Sequence, residues 1–237
     1  MYNYLIGCGI IAVLWLIMFF LRKDLQKPMV RSGFYYVLVL SIGFITIRLI
    51  TISRPEYISI IPGYWNPDTL FNLGRITGGY SIEDFLYMFF SGGIVTFLYN
   101  YVFRKRIVIK RKYHFHFLAI IIGGLIALVI SFLSVNLIWA LIAFGAGSAI
   151  VIWFERKDLI KHSIIGGILY ASFYFIFFSI FGIIFPHFVV QFYSIRDLSG
   201  FFVLGIPLEE IVFALSFGLS WAPIYEYIHG EKNVNIK

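Results

Sequence analysis

Seven long stretches of apolar residues run along the chain, each closed by polar or charged ones: 3–21, 32–50, 82–103, 117–133, 136–154, 163–185 and 204–228. A helix crosses a bilayer in roughly 20 residues, which these stretches match. A chain that faces lipid must satisfy its backbone internally, so the alternatives are helices and a closed barrel. Unbroken apolar runs without strict alternation select helices. The pattern predicts an all-α integral membrane protein of seven transmembrane helices.

Composition fits this reading. Of 237 residues 60% are hydrophobic and 13% charged, and the mean hydropathy is +0.89, too little polar surface for a soluble domain of this size. The first 21 residues lack the basic start of a cleaved signal peptide. The net charge of +7 raises nucleic acid as a partner, but its distribution argues against one. Of 19 basic residues, 15 follow the first, third, fifth and seventh apolar stretches, and only Arg48, Arg54, Arg75 and Arg196 fall on the other side. The positive-inside rule then places the N-terminus outside and the C-terminus in the cytoplasm. The basic patches read as topology signals and as contacts to anionic lipid of the bilayer.

The chain echoes itself. RKDL occurs at 22–25 and again at 156–159, each time directly after an apolar stretch. IEDFLYMFFSGGIVTFLYNY, 82–101, returns as LEEIVFALSFGLSWAPIYEY, 208–227. Glu83, Gly92, Tyr99 and Tyr101 recur as Glu209, Gly218, Tyr225 and Tyr227, and Asp84 corresponds to Glu210. The two spacings differ slightly, which fits a longer outer loop in the first half. The expected organisation is 3+1+3: a three-helix unit over 1–103, a basic loop and linker helix over 104–135, and a second three-helix unit over 136–237. Four segments separate the copies, so both point the same way, as a parallel repeat about an axis along the membrane normal. A shared site between the halves would draw on both acidic pairs. The outer loop 51–80 is rich in proline, glycine and aromatic residues and is expected to cover the mouth of such a site; its counterpart, 186–203, carries His187, Tyr193, Arg196 and Asp197.

Two readings compete for these acids. Pro207 suits a helix start, and carboxylates in the first turn complement the helix dipole. Against that, the pair recurs, and each copy opens into an aromatic helix. Helical spacing puts Glu209 on one face with Phe213, and leads from Glu210 to Phe217 and Trp221 and from Glu83 to Tyr87 and Phe90. A carboxyl holding its proton above an aromatic groove suits addition of that proton to a carbon–carbon double bond, with aromatic faces and the second carboxylate stabilising the cation. The net reaction would be an isomerisation, needing neither metal nor redox cofactor. Cys8 is the single cysteine, and the five histidines show no ligand spacing.

GIPLEEIVF, 205–213, in an aromatic-rich seven-helix chain with the loop YWNPDTLFNL, 64–73, resembles the bacterial, archaeal and fungal membrane-type lycopene cyclases. Their signature is Pro-x-Glu-Glu ahead of an aromatic helix, and their two homologous halves are separate subunits or fused, as here. The resemblance covers essentially the whole chain. It implies a carotenoid or polyprenoid substrate, no cofactor, and catalytic roles for Glu209, Glu210, Glu83 and Asp84. Pro207, Phe213, Tyr87, Phe217 and Trp221 would bind the substrate. The first copy departs from the signature with Ser81 at the proline position and Asp84 for the second Glu, and Ala214 follows Phe213 where another Phe is frequent. A divergent member acting on another polyprenoid therefore stays open, as does a homo-oligomer. A transporter of 3+1+3 architecture also stays open, although the paired Pro-Gln signature of small sugar transporters does not occur. An intramembrane glutamate protease would need Arg where Ala214 stands, and a retinal receptor a lysine within 204–228.

Overall fold

The structure is a computed structural model and describes residues 2–53, 65–109, 116–133, 137–195 and 198–235. Arg54, Arg196 and Asp197, and Tyr64 at the start of the quoted loop, lie outside the described residues.

Among the described residues, six helices are long and apolar enough to cross a membrane. They are α1 (Asn3–Leu21), α2 (Gln26–Ser53), α4 (Ile82–Val102), α6 (Leu137–Glu155), α7 (Ile160–Ile184), and α9 (Leu208–Trp221) continued by α10 (Ile224–His229). α5 (Leu118–Phe132) is the fourth apolar helix in chain order; its 15 residues rise about 22 Å, less than the roughly 30 Å hydrocarbon core. Short helices α3 (Leu73–Thr77) and α8 (Phe188–Phe192) sit in the loops ahead of α4 and α9. The protein is an all-α integral membrane protein, and its outer surface shows large exposed apolar residues such as Phe20, Phe154 and Ile183.

Where elements differ from the hydropathy pattern, local chemistry explains it. α2 and α7 start earlier than the apolar stretches, taking Lys27, Arg31 and Lys161 into their first two turns, each after a 3-10 turn made by the KDL of RKDL. The last stretch is not one helix. A two-residue hairpin, β2 (Phe202–Val203) with β3 (Ile206–Pro207), precedes α9, and the helix breaks at Ala222–Pro223. Pro223 has no N–H for the carbonyl four residues back, Leu219, and the Ser163 hydroxyl donates to that carbonyl instead.

Several features recur in both halves. Arg22 forks onto Asp24 at 2.7 and 2.8 Å, and Arg156 onto Asp158 at 2.9 Å twice. Arg22 also donates to the carbonyls of Asn100 and Lys105, and Arg156 to those of Glu226 and Glu231. Those two carbonyl pairs keep the spacing that separates Glu83 from Glu209. β1 (Lys105–Ile109) pairs antiparallel with β4 (Glu231–Asn235), and the central pair, Ile107 with Asn233, keeps it too. An antiparallel pair is locally two-fold symmetric, so the ladder lies where the halves meet. The Asn100 side-chain amide donates to the Glu226 carboxylate at 3.3 Å, and both residues are fully buried.

Helix contacts are close where glycine allows. A Cβ at Gly145 of α6 would stand 2.6 Å from the Ser216 backbone of α9, and one at Gly218 would stand 2.8 Å from Gly167 of α7. The halves interlock through aromatics: Tyr36 of α2 stacks on Phe217 at 4.3 Å and leans on Trp221, whose indole N–H donates to the Ser32 carbonyl at 3.2 Å.

Candidate active site

The two acidic pairs stand at the same end of the bundle, in the first turns of α4 and α9. All four carboxylates are buried, and the two members of each pair do different things. Glu83 accepts the Leu70 N–H at 2.7 Å, and Glu209 accepts the Ser199 N–H at 2.5 Å. Each thus ties its helix to the loop before it. The loop held by Glu83 needs tying, since Phe71 and Asn72 both have positive φ. The second oxygens of Glu83 and Glu209 have no hydrogen-bond partner among the described residues.

Asp84 and Glu210 point elsewhere. Both line a cavity of about 580 Å³ together with Tyr4, Tyr36, Tyr174 and Tyr193. Ser81 caps α4 in a capping box with Asp84, so the Ser81 N–H and hydroxyl reach Asp84 Oδ2 at 2.7 and 2.6 Å. The Tyr4 hydroxyl donates to Oδ1 at 2.7 Å. Three donors converging on one carboxylate suit a group that accepts. Pro207 holds the equivalent N-cap position of α9 and has no side-chain cap to offer, so the cap bonds of Asp84 have no equivalent at Glu210. Glu210 accepts from the Tyr174 hydroxyl at 2.6 Å and is hydrogen-bonded with Tyr193. Burial, then the adjacent Glu210, hold the Tyr193 phenol well above its ordinary range, so it remains a donor at neutral pH.

Among the described lining residues there is no lysine or arginine, so tyrosines rather than cations face the two acids. At the acidic end of the cavity the two loops join: Trp65 and Tyr193 form an antiparallel bridge, the Asn66 N–H donates to the Phe192 carbonyl at 2.8 Å, and Trp65 packs edge-on against Tyr4 and Tyr193.

Of the residues expected from sequence, the cavity lining includes Asp84, Glu210, Tyr87 and Phe213. Glu83 and Glu209 are at the loops, Pro207 is at the helix cap, and Phe217 and Trp221 lie beneath Tyr36 in the contact between halves. Tyr4, Tyr36 and Tyr174 are lining residues that the sequence did not single out, and Trp65 stood out there only as part of the loop 64–73. Tyr4 could have been found from its place in the first turn of α1, at the acidic end; Tyr174 is one of many aromatics in α7. Removing the Tyr174 hydroxyl leaves Glu210 short of a donor. Tyr174→Phe is expected to lower turnover roughly 10–100-fold, the scale of about 1.5–3 kcal/mol for a hydrogen bond to the carboxylate that Glu210 becomes as its proton leaves, without loss of folded protein; unchanged turnover would remove Tyr174 from the site.

A protein-family model described as lycopene cyclase matches residues 2–102 and 136–228, skipping the stretch that contains α5. No curated protein and no solved structure shows a significant match.

Proposed function

Because the chain belongs to the lycopene cyclase family, we propose that it cyclises the end group of a linear carotenoid or related polyprenoid by acid catalysis. The observation that carries this reading is that Asp84 and Glu210, one from each half, line one apolar cavity. Glu210, bonded by phenols, is the proton donor. It adds its proton to the terminal double bond, leaving a tertiary cation. The next double bond along the polyene supplies its electron pair to that cation and closes a six-membered ring, which moves the positive charge into the ring. Loss of a ring proton to the Asp84 carboxylate restores a double bond. One proton enters and one leaves, so the product is an isomer and no electrons are exchanged. The faces of Tyr87, Tyr36 and Phe213 stabilise the cation, and the Trp65–Tyr193 bridge keeps water from capturing it.

In this reading the halves 1–103 and 136–237, joined by 104–135, are copies that supply one acid each to a shared site. The membrane orientation follows the basic residues, with the N-terminus and the acids outside and the β1–β4 end in the cytoplasm. Expression in a lycopene-accumulating host tests the reaction. New cyclic carotenoids are expected at the expense of lycopene; unchanged lycopene beside well-expressed, folded protein would refute the assignment.

A further inference from the structure

The cavity is open along one flank. There its lining comes from Ile42, Gly43 and Thr46 of α2 and Ile121, Gly124 and Leu125 of α5. Ile42, Ile121 and Leu125 are also 57%, 56% and 57% exposed on the protein's outer surface. A residue that lines an interior space while facing outward marks a mouth. Two glycines keep it wide. A Cβ at Gly43 or Gly124 would meet nothing within 4 Å. One residue away, a Cβ at Gly123 would stand 2.8 Å from the Phe144 carbonyl, so of this doublet only Gly123 serves the contact with α6. The flank between α1 and α7 is filled instead: a Cβ at Gly7 would lie 3.3 Å from the Phe181 ring, which is backed by Phe188 and Phe185.

The mouth lies between apolar helices, with Thr46 as the one polar side chain among the six lining residues named. The Thr46 hydroxyl is satisfied by the Ile42 carbonyl. Such a surface faces hydrocarbon and not water. From this geometry we infer that the slot between α2 and α5 is a lateral portal to the bilayer, an inference that rests on the cyclase reading above. The linear polyene enters end-first from the membrane. Its reacting end group lies at Asp84 and Glu210 beneath the Trp65–Tyr193 bridge, and the remainder of its chain passes out between Gly43 and Gly124 into lipid. The apolar walls give the chain its affinity, and the missing side chains give it the width.

Filling the slot tests this without disturbing protein contacts. Wild type, Gly43→Phe, Gly124→Phe, Gly9→Phe and Glu210→Gln are produced in lycopene-accumulating cells and purified in mild detergent. Lycopene retained per folded protein is read from its visible absorption, and cyclic products are read from the membranes. Gly9 of α1 also has open space around it and does not line the cavity, so Gly9→Phe controls for an added apolar ring. The expected result is at least about tenfold less retained lycopene in Gly43→Phe and Gly124→Phe, one decade of affinity. Gly9→Phe should match wild type, and Glu210→Gln should retain lycopene without forming rings. A series Gly124→Ala, Gly124→Val and Gly124→Phe should show graded loss. Wild-type retention and turnover across both phenylalanine variants and the series would overturn the portal while leaving the cyclase reading intact. A wild-type protein that neither retains lycopene nor forms rings would overturn that reading, and the portal with it.

Discussion

Glu210→Gln is expected to abolish cyclisation, lowering turnover by about 10²–10⁴-fold, the usual worth of a general acid. Glutamine keeps the shape of the side chain and an oxygen for the hydroxyls of Tyr174 and Tyr193, so the cavity should survive. It has no acidic proton to give. The neighbouring change, Glu209→Gln, makes the comparison informative. Glu209 is outside the cavity lining and accepts the Ser199 N–H, which a glutamine oxygen also accepts. Its turnover should stay within a few-fold of wild type. Glu83→Gln should behave like Glu209→Gln, and Asp84→Asn like Glu210→Gln. Turnover assays on all four, normalised to folded protein in the membrane, decide the matter. If the first acid of each pair proved essential and the second dispensable, the assigned roles would be wrong; four mild phenotypes would reduce the acids to partners of the helix dipole.

The second large effect is on stability. Gly145→Leu should leave little extractable folded protein. The added Cβ would stand 2.6 Å from the carbonyl carbon and oxygen of Ser216, and backbone inside a helix cannot step aside as a side-chain tip can. α6 and α9 would have to separate along the contact that holds Glu210 and Phe213 in the cavity wall. Overpacking of this kind costs about 1–3 kcal/mol and occasionally more, a large share of the roughly 5–15 kcal/mol that separates folded from unfolded domains. Gly124→Leu is the matched control, since its side chain meets open space. Thermal melts in detergent should place Gly145→Leu far below wild type and Gly124→Leu close to it; equal melting of both would show that the α6–α9 approach is not the constraint described.

Much of the fold was legible in the chain because a bilayer imposes a simple rule: an apolar stretch of the right length becomes a helix. α1, α4, α6 and α7 lie within a few residues of their stretches. The pattern failed where something other than hydropathy decides. Nothing in it marks the break that Pro223 makes in α9–α10, because apolar residues such as Trp221, Ala222 and Ile224 run straight through it. β1 was hidden in a basic run that also serves as a topology signal, and its pairing with β4 joins residues far apart in sequence. The acids were visible as a repeated pair. Which member of each pair faces the cavity was not, because adjacent helical positions point about 100° apart and an all-round apolar helix gives no reference face. Ser81 and Pro207 were visible as a difference between the copies; that this difference gives Asp84 cap bonds which Glu210 lacks appears only with the capping geometry in place.

The β1–β4 ladder also sets a timetable for biogenesis. β1 leaves the ribosome long before its partner, since roughly 120 residues separate them. At a synthesis rate of about 5–20 residues per second, β1 waits for something like 6–25 s with its edge unpaired. Throughout that interval the first half carries an open strand edge beside a membrane crowded with other nascent chains. Lys105 and Arg106 at its start are the kind of charged residues that discourage foreign strands from pairing with such an edge. β4, the last strand among the described residues, then pairs with one edge of β1 and leaves the other open, so the step that joins the two halves at this end also halves the unpaired backbone that β1 presents.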